Sequence, residues 1–157
     1  MTRVMSNLVA ALFSLCLFSQ AQAAEPTPVQ GEVLLVLGST EGSEVDPALA
    51  KLDALSKAPF DSFTKKTLLK RAAVTLEAGK DAEVELPNGR KLRLSLIEKT
   101  PDGRLRVSVS INRPGKPDYL PLMTVAAAPG DPFFVAGQKL EGGTLIIGVI
   151  VGKPASR

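Results

Sequence analysis

The chain has 157 residues, a formal net charge of +3, one cysteine, and neither histidine nor tryptophan. Without histidine, a Ser-His-Asp triad is excluded, as are haem and zinc sites that depend on imidazole. The single cysteine, Cys16, lies in a segment that we expect to be removed. An enzyme would therefore depend on carboxylates, lysines, hydroxyls and Tyr119. This composition favours a non-enzymatic role and predicts neither a cofactor nor a metal.

The N-terminal segment has the features of a cleaved export signal. Arg3 supplies a positive charge, residues 8–18 form an apolar run, and Ala21-Gln22-Ala23 match the small residues at a cleavage site. The run is shorter than the ~20 residues that span a membrane. We therefore expect the mature chain to be periplasmic or secreted, without a transmembrane helix. The expected organisation is a signal peptide at 1–23, a flexible lead at 24–31, one β-rich domain at 32–152 and a tail at 153–157.

The pattern between residues 46 and 71 predicts two helices. Asp46-Pro47 is typical of a helix N-cap followed by proline in the first turn, and Leu49, Leu52 and Leu55 recur at helical spacing. Pro59 ends this helix, and the segment 59–71 predicts a second helix or helical turn. We expect this N-terminal helix pair to cover one face of a sheet.

Strands are predicted on both sides of these helices. "EVLLVLG" (32–38) is typical of a buried strand, and the alternation from Ala72 onward predicts an antiparallel meander with one solvated face. "GGTLIIGVIV" is apolar on both faces and predicts a central or doubly covered strand. Its Gly148 indicates a bulge or the close approach of another backbone. The predicted fold class is α+β, a mostly antiparallel sheet or sandwich with the helix pair over one face.

Two turns fix the expected register of the meander. Pro87-Asn88-Gly89 predicts a three-residue hairpin loop in which apolar residues of the two strands face each other. The same loop at Pro101-Asp102-Gly103 would place apolar against polar side chains. One extra residue at Leu96-Ile97 corrects the mismatch by setting Ile97 against Val107, so we predict a β-bulge there.

Four bases, Lys91, Arg93, Arg104 and Arg106, project from the polar face of one predicted hairpin, which we call the basic hairpin. Close together, these side chains would receive an anionic polymer or an acidic protein surface. Aromatic residues do not interleave with them, which argues against a nucleic-acid partner bound by base stacking. The competing interpretation is that outward charges only keep the sheet from aggregating.

Two further patterns are weighed against simpler explanations. Ser62-Phe63-Thr64-Lys65 fits the S-x-x-K nucleophile motif of penicillin-binding proteins and serine β-lactamases, but neither S-D-N nor K-T-G follows it. Asp81, Glu83 and Glu85 offer oxygen ligands of the kind that calcium prefers. A surface of salt bridges to the bases of the next strand is the better interpretation of these acids.

Four segments carry a resemblance to a known class of proteins. They are "PFDSFTKKTLL", "VTLEAGKDAEVELPNGRKLRL", "GDPFFVAGQ" and "GGTLIIGVIV". In this order they resemble small exported β-rich proteins of Gram-negative bacteria whose function is unassigned. The last two are also similar to the strand ends of secretin-type outer-membrane channels. The resemblance implies a shared architecture, and no catalytic residue carries over from it.

Together these observations predict a non-enzymatic module of the periplasm or cell envelope that binds another envelope protein or takes part in an assembly. The alternative is that the basic hairpin binds an anionic glycan or a lipid head group.

Overall fold

The computed structural model describes residues 27–152, which form eight strands and three 3-10 turns. The strands are β1 (Val29–Ser39), β2 (Lys65–Leu76), β3 (Asp81–Glu85), β4 (Lys91–Lys99), β5 (Leu105–Asn112), β6 (Tyr119–Ala127), β7 (Pro132–Leu140) and β8 (Gly143–Val151). All neighbours pair antiparallel in two four-stranded sheets. The first sheet has the order β2-β1-β8-β7 and the second has the order β3-β4-β5-β6.

The two sheets pack face to face over one apolar layer. Alternate side chains of the first sheet meet alternate side chains of the second; they include Val33, Leu35, Ile147, Val149, Leu92, Leu94, Val107 and Val109. Each of these eight side chains has 0% of its surface exposed. The period-two pattern of the strands therefore produces a β-sandwich whose core lies between the sheets.

The predicted α+β class is wrong, because the N-terminal helix pair is not formed. Asp46 does cap a turn, since its carboxylate accepts a hydrogen bond from the backbone N–H of Ala48 at 2.9 Å. The segment that follows contains only the 3-10 turns Pro47–Leu49 and Asp53–Ser56. A leucine every third residue matches the 3.0 residues per turn of a 3-10 helix. The leucines thereby lie over the outer face of the first sheet.

The predicted second helix at 59–71 is also wrong. Only the 3-10 turn Phe60–Ser62 forms there, and β2 begins at Lys65. The reason lies in β1, which is buried and needs backbone partners along both of its edges. The segment from Lys65 supplies the partner on one edge, and β8 supplies the other. Long-range strand pairing thus overrides the local helical pattern.

The prediction of a central, doubly covered β8 is confirmed. β8 lies between β1 and β7, with Ile147 in the core between the sheets and Ile146 under the 3-10 turns. The prediction that Gly148 marks a bulge or the close approach of another backbone is wrong. Gly148 pairs in register with Leu34 and Phe134, and the atoms nearest to a Cβ at this position belong to side chains. Its close neighbour is a ring: a Cβ at Gly148 would lie 2.7 Å from Cε1 of Phe134.

The turn chemistry of the second sheet agrees with the expected register. Val84 pairs with Leu92 across the first hairpin, and Gly89 adopts a φ of 77°. A bulge occurs between Leu96 and Glu98, where one was predicted. The predicted partner is wrong, because Leu96 pairs with Val107 and Ile97 is the bulged residue, 50% exposed.

The expected signal peptide (1–23) and tail (153–157) lie outside the described residues. β1 begins at Val29, so the last three residues of the expected lead (24–31) belong to a strand. Along residues 27–152, no helix has the length and apolar character needed to cross a membrane.

Candidate functional site

The four bases of the basic hairpin do not form one cluster. Arg93 lies opposite Ser110, whereas Arg106 lies opposite Glu98 beyond the bulge. Ser110 and Arg106 are four residues apart on β5, which corresponds to about 13 Å at ~3.3 Å per residue. Lys91 lies at the Arg93 end of the hairpin, and Arg104 precedes β5 at the other end. The bases therefore lie in two pairs at opposite ends of the hairpin.

Each arginine of the basic hairpin has a carboxylate partner. Arg93 lies 3.0 Å from Glu83, Arg104 lies 3.2 Å from Asp102, and Arg106 lies 2.9 Å from Glu98. Among the described residues, Lys91 is the one base of the four without an ion pair. Because acids neutralise three of the four charges locally, the hairpin has little net positive field for an anionic polymer.

The pair at Arg93 extends into a network that we call the Arg93 clamp, formed by Asp81, Glu83, Arg93 and Tyr119. The Tyr119 hydroxyl donates to Glu83 Oε1 at 2.8 Å, and the Arg93 guanidinium lies 3.6 Å from the centre of the Tyr119 ring. Arg93 also lies 3.5 Å from Asp81. Since Glu83 is on β3 and Tyr119 is on β6, the clamp spans the width of the second sheet.

The electrostatics of the clamp fit a structural role. The hydrogen bond from Tyr119 and then that from Arg93 lower the pKa of Glu83, and Glu83 in turn raises the pKa of Arg93. Burial, followed by the hydrogen bond to Glu83, raises the pKa of Tyr119. These shifts move the pKa values of Glu83 and Tyr119 further from neutrality. The clamp therefore holds fixed charges and is not poised for proton transfer near pH 7.

The S-x-x-K segment has no helix to align its two side chains. The Ser62 hydroxyl donates to the carbonyl of Pro59 at 2.9 Å, and Lys65 Nζ lies 3.9 Å from Glu44. Each side chain is thus directed to a different partner. In the described part of the chain, groups of three or more acidic, histidine or cysteine side chains that would suit a metal ion are also absent.

Arg90 makes a bridge that the sequence did not indicate. Its Nε and a terminal nitrogen donate to the carbonyl of Asn112 at 2.9 and 2.6 Å, and its other terminal nitrogen donates to Gln138 at 2.6 Å. The guanidinium therefore joins the second sheet to β7. Gln138 lies 48 residues away, beside a bulge at Gly137, so local spacing contains no signal for this contact.

The two lateral sides of the sandwich differ sharply in charge. The edge strands β2 and β3 lie along one side, which we call the charged side, and β6 and β7 lie along the other, the uncharged side. Residues 65–85 of the charged side include nine Lys, Arg, Asp or Glu. Residues 119–140, which cover β6 and β7 of the uncharged side, include only two, Asp131 and Lys139. The sequence contained this signal, but the topology was needed to place it along two adjacent edges.

The uncharged side exposes apolar side chains along both of its edges. Leu120 is 37% exposed, Met123 and Val125 are half-buried on β6, and Phe133 and Val135 are half-buried on β7. This side is therefore a strip of partly accessible apolar surface beside two edges that have no strand partner among residues 27–152.

Comparison with protein-family models, with curated proteins and with solved structures finds no match for the chain.

Proposed function

We propose that the chain is a non-enzymatic, exported module of the cell envelope that binds another protein through the uncharged side of the sandwich. One observation supports this proposal above the others. The edges β6 and β7 lie together and have two charged residues within residues 119–140, while their apolar side chains remain half-accessible. Depletion of charge around accessible apolar groups is the pattern found at the centre of protein interfaces.

The partner best suited to this side is a protein with an apolar, weakly charged surface. The half-buried side chains of Met123, Val125 and Phe133 would lose their remaining contact with water in such a complex. A highly charged partner would lose its hydration against this side without receiving counter-charges. The specificity for one partner would then depend on shape complementarity to the surface formed by β6 and β7.

The alternative, an anionic glycan or lipid head group on the basic hairpin, has less support. Three of its four bases already contact carboxylates, and the two pairs of bases lie at opposite ends of the hairpin. Salt-sensitive retention on an anionic polymer, lost when Arg93 and Arg106 are changed to glutamate, would favour this alternative.

The experiment uses two exposed threonines on edge strands as a matched pair. Thr124 lies on β6 opposite Ser108, and Thr75 lies on β2 opposite Gln30, so both face neutral residues. The chain from Ala24 onward is used to capture partners from an envelope extract, with Thr124→Lys and Thr75→Lys compared under equal conditions. We expect Thr124→Lys to weaken retention of the captured protein at least tenfold and Thr75→Lys to leave it unchanged.

Both variants should show the melting temperature of the parent chain, so that a change in retention reports binding and not unfolding. Equal retention by the two variants would overturn the proposal, and so would a shift from dimer to monomer in Thr124→Lys alone. In the second case, the uncharged side would be an interface between copies of this chain.

A further inference from the structure

The sandwich has a cavity at one end, where the connection between β6 and β7 contributes Pro129 to the wall. The cavity has a volume of about 630 Å³ and lies where β1 begins and where β4 and β8 end. Its walls include Val29, Leu96, Leu105 and Pro129. The cavity is partly open to solvent, and its volume is in the range of about 300–1,000 Å³ that is usual for small-molecule sites.

Two of the residues that line this cavity are small. Gly152 lines it, and a Cβ at that position would lie 2.9 Å from Pro129 and 3.3 Å from Leu105. Ala78, in the connection between β2 and β3, lines another part of the wall with a single methyl group.

One cation lies at the cavity without a counter-charge. Glu98 and Lys99 both line the cavity, and Glu98 is held by Arg106 at 2.9 Å. Lys99 is exposed and has no ion pair within residues 27–152. An aliphatic wall beside a free ammonium group is complementary to a ligand with an apolar chain and one negative charge.

We propose that this cavity binds an aliphatic chain with a single anionic head group, of the fatty-acid class. The chain would pack against Leu96, Leu105 and Pro129, and the head group would pair with the ammonium of Lys99. Among residues 27–152, those that line the wall include no aromatic side chain, which disfavours planar ligands that depend on stacking. Polar groups in the wall are few, so a sugar would leave most of its hydroxyls unpaired.

The test measures binding of palmitate and of hexadecanol to the chain from Ala24 onward, by displacement of a fluorescent fatty acid below the critical micelle concentration. Lys99→Gln removes the charge at the cavity, and Lys91→Gln removes another exposed lysine of the same strand that has no ion pair within residues 27–152. We expect Lys99→Gln to weaken palmitate binding about fivefold and to leave hexadecanol unchanged. Lys91→Gln should affect neither ligand.

A second variant tests the wall independently of the charge. Ala78 is exposed at the cavity, so Ala78→Phe is expected to fold while its ring occupies the space of the aliphatic chain. Binding of palmitate and of hexadecanol should both fall at least tenfold. The proposal is overturned if the parent chain binds neither ligand saturably. It is also overturned if Lys91→Gln and Lys99→Gln weaken palmitate equally, or if a folded Ala78→Phe variant binds as the parent does.

Discussion

The charged and uncharged sides of the sandwich are both formed by the edge strands of the two sheets, but they differ in the residues that lie along these edges. On the charged side, β2 has four bases among its twelve residues, and Glu44 to Asp46 lie along the edge beside Lys66. On the uncharged side, β6 and β7 have a proline within the strand, a glycine bulge and accessible apolar side chains. Charged residues make an edge unattractive to other strands and apolar surfaces.

The two sides also differ in the interactions that connect their edge strands to the rest of the sandwich. The charged side is surrounded by ion pairs such as Arg71–Glu32 at 3.2 Å and Lys80–Glu77 at 2.5 Å, both accessible to solvent and therefore weak. The uncharged side is attached by packing of Phe134 on Gly148, by the Arg90 bridge and by the Arg93 clamp. Changes to these three attachments should therefore affect the uncharged side selectively.

The largest effect is expected from removal of β8, which is the strand that connects β7 to the rest of the first sheet. Truncation after Gly143 removes five fully buried side chains (Leu145, Ile146, Ile147, Val149 and Val151). Burial of each such side chain stabilises the fold by about 1.5–3 kcal/mol. We expect an insoluble or molten product, measured by near-UV circular dichroism and by solubility.

The matched control for this truncation removes only residues 153–157 and should leave the melting transition unchanged. A chain cut after Gly143 that stays soluble with the parent melting transition would contradict the central role of β8. In that case β8 would be a detachable segment, and the attachment of the uncharged side would need another explanation.

The next effect concerns the shape contact that attaches β7 to β8. A Cβ at Gly148 would lie 2.7 Å from the ring of Phe134, which itself packs edge-on against Phe60 with ring centres 5.7 Å apart. We expect Gly148→Ala to destabilise the chain by about 1–3 kcal/mol, because the ring must leave its packed position. Chemical denaturation measures this change.

A double variant tests whether the ring is the cause of this loss. Gly148→Ala combined with Phe134→Leu should be less destabilised than the sum of the two single changes, because the smaller side chain leaves room for the methyl group. Strict additivity of the two changes would contradict the contact described here.

The third effect concerns Arg90, which ties the second sheet to β7. Arg90→Ala leaves the carbonyl of Asn112 and the amide of Gln138 without their partner. Loss of hydrogen bonds to a charged, part-buried donor is expected to cost about 1.5–3 kcal/mol. Arg104→Ala is the control, because it removes an arginine that pairs only with the exposed Asp102 and should change the melting temperature little. Equal losses in the two variants would contradict the bridging role.

The elements that were predictable from sequence are those determined by neighbouring residues. Gly89 and the apolar pairs beside it determine a hairpin, and the run from Leu145 to Val151 demands cover on both faces. The helix pair was mispredicted because Leu49, Leu52 and Leu55 satisfy a period of three as well as the α-helical period, and only the sheet beneath them selects between the two.

The candidate sites were less predictable, because they depend on which strands become neighbours. The salt bridges from Asp81 and Glu83 to Arg93 agree with the interpretation from sequence. The pairing of Glu98 with Arg106 depends on the exact position of the bulge, which the sequence indicates less precisely. The uncharged side is visible as residues 119–140, but a run of low charge is also typical of a core strand. The topology places both β6 and β7 at sheet edges, and only this placement identifies the run of low charge as accessible surface.

The smallest effect is expected at the Arg93 clamp, which spans the second sheet from the charged to the uncharged side. Tyr119→Phe removes the hydrogen bond that contributes most to the lowered pKa of Glu83. Since the clamp is accessible to solvent, we expect a loss of about 0.2–1 kcal/mol near neutral pH.

The pH dependence of this stability loss follows from the two pKa shifts. The contribution of Glu83 is complete above its unfolded pKa and is lost as the pH falls through the lowered value of the folded state. The contribution of Tyr119, whose pKa is raised, is complete below its unfolded pKa and is lost as the pH rises through the folded value. The stability difference between parent and variant should therefore be greatest between about pH 5 and pH 9 and shrink on both sides. Urea denaturation at a series of pH values measures this difference. A difference that stays constant from pH 3 to pH 11 would contradict a stabilising hydrogen bond from Tyr119 to the ionised Glu83, and with it the coupling of the two sides through the clamp.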